Sequence, residues 1–182
     1  IKTLKQCSNE TTKQFNNLTI EQFNNEINFS QLLRLINNID GDFWLRFVTS
    51  NPWDLSDEII VAMAECEKIG PYLHLPAQSG SNEILKKMNR RYTREQYIKL
   101  VQKIRKKIPD LVISTDIIVG FPGETKKQFR ETAALMKKIK FAMAYIAAYS
   151  PRPGTVAAKL YPDNVSSIEK KQRQIILENI LI

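Results

Sequence analysis

Asp116 is the residue of this sequence whose surroundings most clearly suggest chemistry. It lies inside the run Ser114–Val119, which is almost entirely apolar toward its end. An ionised carboxylate in apolar surroundings is costly unless it is paired or hydrogen-bonded. Asp116 is therefore a candidate site residue that could accept hydrogen bonds from a pair of ribose hydroxyls. Gly120 and Gly123 follow it, and glycine lets the backbone come close to a flat ligand.

A second polar segment runs from His74 to Ser81 and contains Gln78 and Ser79. An amide and two hydroxyls at the end of a strand can hydrogen-bond a polar ligand, and a helix that begins near Ser81 presents free N–H groups in the same region. Simple helix capping, with Gln78 in solvent, is the alternative interpretation. His74 is the single histidine of the sequence, and we interpret it as a packed strand residue rather than a base.

Arginines in two further segments are suited to anionic ligands. Arg90 and Arg91 lie between two predicted helices, where they could hold a carboxylate or a phosphate in fork geometry. On these residues alone, a solvated basic linker is the favoured interpretation. Pro151 and Pro153 stiffen the loop that presents Arg152, and a rigidly held arginine suits phosphate recognition. A structural turn is the alternative for this loop.

These segments follow a regular alternation of strands and helices. The hydrophobic patterns predict strands over 43–48, 72–76, 111–119 and 141–149. The predicted helices begin at the capping residues Ser30, Ser56, Ser81, Thr93, Thr125 and Ser166. Such alternation indicates parallel strands joined by helical crossovers. In such folds the chemistry gathers at the C-terminal ends of the strands, where the polar segments lie.

The length of the chain limits the size of this fold. A complete (β/α)₈ barrel needs roughly 200–250 residues, and the chain has 182. The expected fold class is therefore α/β, a partial TIM-type barrel of about four β/α units, with residues 29–182 forming the core domain. Residues 1–28 are rich in Asn, Gln and Thr and repeat Gln-Phe-Asn-Asn at 14–17 and 22–25. We expect a low-complexity loop, insertion or disordered segment there, with a frayed helix as the alternative.

The composition is that of an ordinary globular protein, with 43% hydrophobic and 25% charged residues. The net charge of +8 favours a polyanionic partner such as RNA, because Lys and Arg neutralise phosphates. A basic surface that serves solubility is the alternative. No apolar run approaches the roughly 20 residues of a membrane span, and the start at Ile1 shows no signal-peptide pattern. We expect a cytoplasmic protein without membrane contact, truncated at its N-terminus.

The two cysteines, Cys7 and Cys66, are too far apart to indicate a zinc or cluster site by spacing. Cys66 shares the apolar face of a predicted helix with Ile59 and Met63, so we expect a buried structural thiol there. We assign no metal ligands in this chain.

Five segments are recognisable together and in this order: Leu45–Pro52, Leu73–Ser81, Met88–Glu95, Thr115–Thr125 and Tyr149–Thr155. They resemble the radical S-adenosylmethionine (SAM) domain of MiaB-type tRNA methylthiotransferases, over about residues 29–180. Asn89, before the arginine pair, resembles the MiaB type more than its relatives that act on threonylcarbamoyl-adenosine or on a ribosomal protein. The resemblance implies a partial barrel of the radical SAM kind.

The resemblance also implies a reaction. A [4Fe–4S] cluster reduces SAM, and the radical formed abstracts hydrogen from carbon 2 of N6-isopentenyladenosine next to the anticodon. A second cluster supplies sulfur, and another SAM supplies the methyl group. The implied partner is therefore tRNA, through its anticodon stem-loop.

Related radical SAM enzymes, such as oxygen-independent coproporphyrinogen oxidase, share a strand-end glutamine, an arginine twelve residues later and an aspartate on the next strand. By this resemblance, Gln78 and Asp116 bind the ribose hydroxyls of SAM, and Arg90 binds its methionyl carboxylate. Arg91 and Arg152 are expected to contact RNA or substrate. The complete set expected to bind the cofactor, in which Ile118 and Ser150 lie near adenine, is Gln78, Arg90, Asp116, Ile118, Gly120 and Ser150.

The sequence also departs from the family. The family motif C-x-x-x-C-x-x-C, its N-terminal cysteine-bearing domain and its C-terminal RNA-binding domain are absent from these 182 residues. Cys7 cannot replace the motif, because the cluster needs three protein thiolates. We therefore expect a fragment of such an enzyme that is inactive alone. A non-catalytic basic remnant that holds RNA or SAM is the alternative, as is a related methylthiotransferase with a different substrate.

Overall fold

The computed structural model of the chain describes residues 27–48 and 50–181. It divides into two compact units, and the described residues of the first unit are 27–46 and 56–70. The second unit contains the remaining described residues, 47, 48, 50–55 and 71–181. Most of the predicted low-complexity segment, residues 1–26, lies outside the described residues.

The first unit contains two helices, α1 (Phe29–Asn37) and α2 (Asp57–Glu65). Ser56 caps α2 as predicted, because its side chain accepts a hydrogen bond from the N–H of Ile59. The prediction that Ser30 caps α1 is wrong. Asn28 is the cap, in a capping box with Gln31, while the Ser30 hydroxyl donates to the Asn28 side chain over 2.7 Å. The helix therefore begins earlier than expected, and the asparagine side chain accepts from the free N–H of Gln31.

The strand predicted over 43–48 is also wrong for the described residues. Leu45 forms only an isolated parallel bridge with Ile69. The N–H of Leu45 donates to the carbonyl of Lys68 over 2.7 Å, and the N–H of Gly70 donates to the carbonyl of Leu45 over 3.2 Å. A strand requires a partner that continues the ladder, and here the pairing ends after this single bridge.

The second unit is built on a parallel sheet of three strands, β1 (Tyr72–His74), β2 (Val112–Val119) and β3 (Met143–Ala148). Their spatial order is the same as their order in the chain. Such sequential order is that of a barrel wall, because a doubly wound sheet reverses direction at a switch point. The predicted α/β class with a partial parallel sheet is confirmed, with three strands in place of about four.

Helices follow each of these strands. They are α3 (Asn82–Lys87), α4 (Arg94–Lys107), α5 (Lys126–Ile139), α6 (Val156–Leu160) and α7 (Ser167–Glu178). The capping boxes predicted at Thr93 and Thr125 are both present, with Gln96 and Gln128 as their partners. Ser166 caps α7 as predicted. Among residues 27–48 and 50–181, no helix combines the length and the apolar character that a membrane span requires.

The two faces of β2 differ in chemistry. Ile113, Ile117 and Val119 are buried, as expected for side chains that pack beneath the helices. Asp116 and Ile118 point to the opposite face, because side chains alternate along a strand, and both are partly exposed. The sheet therefore presents a partly open face that carries the predicted carboxylate.

The buried face of α7 differs from the usual pattern, in which apolar side chains are buried. Ile175 and Ile176 are 46% and 49% exposed. The buried residues are Lys170, Arg173 and Leu177. The ion pairs that the two cations form explain this difference, because a buried charge is tolerated when it is paired and hydrogen-bonded.

Candidate cofactor-binding site

Gln78 lies at the C-terminal end of the first strand of the sheet. Its N–H donates to the carbonyl of Asp116 over 2.8 Å, and its carbonyl accepts from the N–H of Ile118 over 2.9 Å. These two bonds form a parallel bridge with Ile117, beyond the end of β1. The backbone therefore fixes Gln78 directly beside Asp116, as the sequence predicted for strand ends of one sheet.

The conformation of Gln78 is strained. Its φ angle is +61°, a left-handed value that costs a residue other than glycine about 1–2 kcal/mol. The residue is 7% exposed, and its carboxamide forms no hydrogen bond with any residue in the described ranges. Strain of this kind is concentrated at functional sites, and a side chain with free donors and acceptors beside an open face can bind a ligand.

Two buried tyrosines hold the segment that precedes Gln78. The hydroxyl of Tyr97 donates to the carbonyl of Leu75 over 2.7 Å, and that of Tyr92 donates to the carbonyls of Pro76 and Ala77, both over 3.1 Å. Burial raises the pKa of Tyr92 to about 12, so its hydroxyl keeps the proton that it donates. These bonds leave the segment little freedom to relax the strain at Gln78.

Asp116 lies at the centre of the partly open face. Its side chain is 40% exposed, and its Oδ2 lies 3.3 Å from Nε2 of His74. In the register of the sheet, Asp116 is the neighbour of Tyr145 on β3. Among the residues that the structure describes, the carboxylate therefore has one side-chain partner, and it retains acceptor capacity for a ligand.

The turn after α3 presents Arg90. Asn89 adopts a left-handed φ of +55°; its N–H donates to the carbonyl of Lys86, and the N–H of Arg90 donates to the carbonyl of Leu85. This is a Schellman motif, and asparagine is tolerated in its left-handed position. Nε of Arg90 is buried and has no hydrogen-bond partner within the described part of the chain, so the guanidinium can still bind an anion.

The turn from Gly120 to Glu124 is closed by an ion pair with α7. The buried Glu124 carboxylate accepts from the N–H of Gly120 over 2.7 Å and from Nη1 of Arg173 over 2.5 Å. A Cβ on Gly120 would lie 2.4 Å from Cγ of Lys170, and the ammonium of Lys170 donates to Asp163 and to the Tyr149 carbonyl. The structure thus places Gly120 against Lys170, where only glycine leaves room for that side chain.

The C-terminal ends of the three strands surround a cavity of about 900 Å³, which lies entirely within the second unit. The predicted residues that line it are Gln78, Arg90, Asp116, Ile118, Ser150 and Arg152. Gly120 and Arg91 are not among the residues that line the cavity. Six of the eight site residues chosen from the sequence therefore converge on one cavity.

Sequence reasoning missed several residues that line this cavity. The missed aromatic residues are Phe121, Tyr145, Tyr149 and Tyr161, and the missed cations are Lys86 and Lys87. The alternation of β3 could have identified Tyr145, because it shares a face with Asp116 in the register of the sheet. No sequence pattern predicts Tyr161, which reaches the cavity from the segment after α6 and packs against Phe121.

The cavity combines three kinds of group. An amide and a carboxylate lie together on adjacent strand ends, and Arg90 supplies a cation beyond them. Ile118 and the aromatic side chains add apolar wall that can cover a flat ring. Such a site is suited to a ligand that has vicinal hydroxyls, a planar ring and an anionic end.

A metal site is not indicated in the described residues. In 27–48 and 50–181, no group of three His, Cys, Asp or Glu side chains is arranged to hold a metal ion. Cys66 is buried in the first unit, as predicted, and burial raises the pKa of its thiol above the ordinary value. A protonated, buried thiol is a poor ligand and a poor nucleophile.

Known proteins provide an independent comparison. The model of the radical SAM superfamily matches residues 10–136. The tRNA-2-methylthio-N(6)-dimethylallyladenosine synthase of Clostridium novyi (strain NT) is 58% identical over 135 residues, which is 74% of this chain and 30% of that protein. The protein of the same name from Thermoanaerobacter sp. (strain X514) is 51% identical over 148 residues, 81% of this chain and 31% of its own length. The chain thus spans about a third of these curated relatives.

The fold has a similar solved structure. The coproporphyrinogen III oxidase of Escherichia coli, described as a radical SAM enzyme, superposes with a TM-score of 0.62 over 83% of this chain and 35% of that one, at 19% identity. At this identity the similarity concerns the fold alone. The superfamily model covers well over half of the sequence, and the partial parallel sheet agrees with it: this chain belongs to the radical SAM superfamily.

Proposed function

We propose that the cavity binds SAM, and that this chain supplies the SAM-binding part of a radical SAM methylthiotransferase. The observation that carries the proposal is the convergence of Gln78, Asp116 and Arg90 on one cavity. The substrate that we propose for the whole protein is N6-dimethylallyladenosine in tRNA, because the relatives at 51–58% identity are named for that product class. We propose further that this nucleoside is the one next to the anticodon. We place this reaction in the cytoplasm.

The geometry of the cavity supports SAM as its ligand. Gln78 and Asp116 would hold the two ribose hydroxyls, since the amide donates and the carboxylate accepts. Arg90, whose Nε has no partner among the described residues, would bind the methionyl carboxylate. Ile118 and Ser150 would lie against adenine. When bound to a reduced cluster, SAM supplies the chemistry that removes a hydrogen atom from the substrate.

The iron–sulfur cluster is not matched by residues of this chain. Its two cysteines are 59 positions apart, at 7 and 66, and a [4Fe–4S] cluster that activates SAM needs three thiolates. We propose that these thiolates belong to another part of a longer protein, because the chain spans about a third of its relatives, and that this polypeptide alone binds SAM without reacting. The missing thiolates also favour the second candidate function, a binding module for SAM or RNA that performs no chemistry.

Calorimetry with SAM tests the proposed site. The wild-type chain should bind SAM, and the Asp116→Ala variant should bind it about tenfold more weakly, because one set of hydrogen bonds to the ribose is lost. Asp110→Ala removes the same side chain at an exposed position that does not line the cavity, so it is the matched control. Equal affinity of wild type and Asp116→Ala would remove the proposed site.

Gln78→Gly should separate stability from binding. Glycine avoids the cost of about 1–2 kcal/mol of the left-handed conformation, and its freedom in the unfolded chain offsets about 0.5–1 kcal/mol of that gain. The free energy of unfolding should therefore stay equal to that of wild type or rise by up to about 1 kcal/mol. The same change removes the carboxamide and should weaken SAM binding. Urea unfolding and calorimetry on one preparation measure the two effects. A variant that is both less stable and equally able to bind SAM would contradict the assigned role of Gln78.

The edge of the cavity is electropositive and supports an RNA partner. Its charged lining residues are Lys86, Lys87, Arg90, Arg152 and Asp116, so four cations accompany a single carboxylate. The ammonium of Lys87 lies 5.9 Å from the centre of the Tyr161 ring. We propose that Arg152 and the two lysines, together with the exposed Arg91, contact phosphates of the tRNA stem-loop while Arg90 serves the cofactor.

The salt dependence of RNA binding measures this contact. If Arg152 neutralises one phosphate, the RNA affinity of Arg152→Gln should depend less steeply on salt. The magnitude of the negative slope of log K against log salt concentration should decrease by about 0.7–0.9. Lys106→Gln, which removes the same charge from an exposed position on α4 outside the cavity, should change the slope less. Filter binding of an anticodon stem-loop between low and moderate salt gives both slopes. Identical slopes for the two variants would contradict the assignment of Arg152.

A further inference from the structure

The open face of the sheet carries a continuous chain of polar side chains that ends at Asp116. The hydroxyl of Tyr72 lies 2.5 Å from Oγ of Ser114, and this Oγ lies 2.8 Å from Nδ1 of His74. Nε2 on the other side of the same ring lies 3.3 Å from Oδ2 of Asp116. The parallel register explains this series of contacts, because His74 and Ser114 are paired neighbours and Asp116 lies two residues after Ser114 on the same face of β2.

Electrostatics determines which groups donate and which accept in this series of hydrogen bonds. A neutral imidazole carries its proton on one nitrogen only, and a lone pair on Nε2 would face the carboxylate of Asp116 and repel it. The proton therefore lies on Nε2, whether His74 is neutral or protonated. In the neutral ring, Nδ1 then accepts from the hydroxyl of Ser114, whose oxygen accepts in turn from Tyr72.

We infer that His74 is a positioning residue for the cofactor, which holds the carboxylate of Asp116 in the rotamer that receives the ribose hydroxyls. This inference rests on the proposed function of the cavity and adds a residue to it. Asp116 is 40% exposed in its side chain. Its neighbours in the sheet are His74, through the contact of Nε2 with Oδ2, and Tyr145, its register partner on β3. Without a fixed donor the carboxylate would sample several rotamers in solvent, and each SAM molecule would have to order it on binding.

A packing role for His74 is the competing explanation. Its ring meets that of Tyr145 edge to face, with 6.0 Å between ring centres, and the side chain is 13% exposed. An aromatic ring without nitrogen would preserve this contact and remove the donor. Glutamine would do the reverse, because its terminal amide can place an N–H near the position of Nε2. The two explanations therefore predict opposite orders for two variants.

Calorimetry with SAM on wild type, His74→Phe and His74→Gln distinguishes the positioning role of His74 from a packing role. We expect His74→Phe to weaken binding about tenfold and His74→Gln to retain affinity within about threefold of wild type, while both remain folded by circular dichroism. An analogue of SAM without the ribose hydroxyls should bind all three proteins equally. Wild-type affinity in His74→Phe, or a loss that is confined to His74→Gln, would overturn the inference. Failure of the wild-type chain to bind SAM would instead overturn the proposed site itself.

A second measurement needs no variant. His74 is the single histidine of the sequence, so a long-range ¹H–¹⁵N spectrum of the labelled chain contains one imidazole. The inference requires a proton on Nε2, either in the neutral tautomer or in the cation. A neutral ring protonated on Nδ1 would overturn it, since that ring would turn a lone pair toward Asp116.

Discussion

Replacing Arg173 by methionine should lower the free energy of unfolding by about 3–5 kcal/mol, the cost of breaking a buried ion pair on one side. The side chain of Glu124 is 0% exposed and that of Arg173 is 5% exposed, with 2.5 Å between Oε2 and Nη1. Oε1 of Glu124 already has no hydrogen-bond partner in the described residues. Loss of the guanidinium would leave a buried carboxylate held chiefly by the N–H of Gly120.

The cost of Arg173→Met should depend on pH in a defined direction. Burial raises the pKa of Glu124, and the N–H of Gly120 and the Arg173 guanidinium lower it. Without Arg173 the pKa rises further above the unfolded value, so the folded variant binds a proton that the unfolded chain has released. Stability then falls as pH rises. We expect the variant to be closest to wild type near pH 5 and to lose stability progressively toward pH 8.

Two controls accompany this experiment. Lys171→Met makes the same kind of change at an exposed position on α7 and should alter stability by about 0.5 kcal/mol or less. Glu124→Gln combined with Arg173→Met removes both charges and should recover part of the loss, because no ion is left buried. Urea unfolding across pH measures all four proteins. A loss that is independent of pH, or equal in the double variant, would show that the ion pair is not its cause.

Arg90→Gln should weaken SAM binding about a hundredfold, the loss expected for a charge-assisted bond to a carboxylate in a partly buried site. The fold should survive, because the Schellman turn that presents Arg90 is held by backbone N–H groups. Calorimetry with SAM measures the effect. Arg91→Gln is the matched control, since Arg91 is the exposed neighbour that does not line the cavity, and its affinity for SAM should equal that of wild type.

A second ligand identifies the atom that Arg90 binds. 5′-Methylthioadenosine retains the nucleoside of SAM and lacks the amino acid, so it should bind wild type and Arg90→Gln equally. If Arg90→Gln weakens both ligands to the same extent, Arg90 supports the cavity generally and does not bind the carboxylate. If it weakens neither ligand, Arg90 is not part of the cofactor site.

The candidate site residues could be chosen from the sequence for physical reasons. Asp116 was recognisable because an ionised carboxylate in an apolar strand is costly unless it has a partner. Gln78 was recognisable because it follows the preceding strand at the same edge of a parallel sheet. The choice of Arg90 depended on the family resemblance, in which an arginine follows the strand-end glutamine by twelve residues. The strained backbone of Gln78, φ +61°, and the orphaned Nε of Arg90 give these choices a physical basis that no sequence pattern contains.

Contacts between distant segments account for what the sequence did not reveal. The sequence did not indicate which side of α7 is buried, and the pairs of Arg173 with Glu124 and of Lys170 with Asp163 turn the charged side of this helix inward. The same contacts change the interpretation of Gly120. It was chosen for close approach to a flat ligand, and the structure shows it against the buried stem of Lys170. Glu124 and Arg173 are 49 positions apart, and pairing over such a separation leaves no periodic signal.

The most direct test of the central claim is a crystal structure of this chain with SAM. We predict that the ribose hydroxyls lie within hydrogen-bond distance of Asp116 and Gln78, and that the methionyl carboxylate contacts the guanidinium of Arg90. A SAM molecule bound elsewhere on the chain, or bound in this cavity with its ribose away from Asp116, would contradict the account.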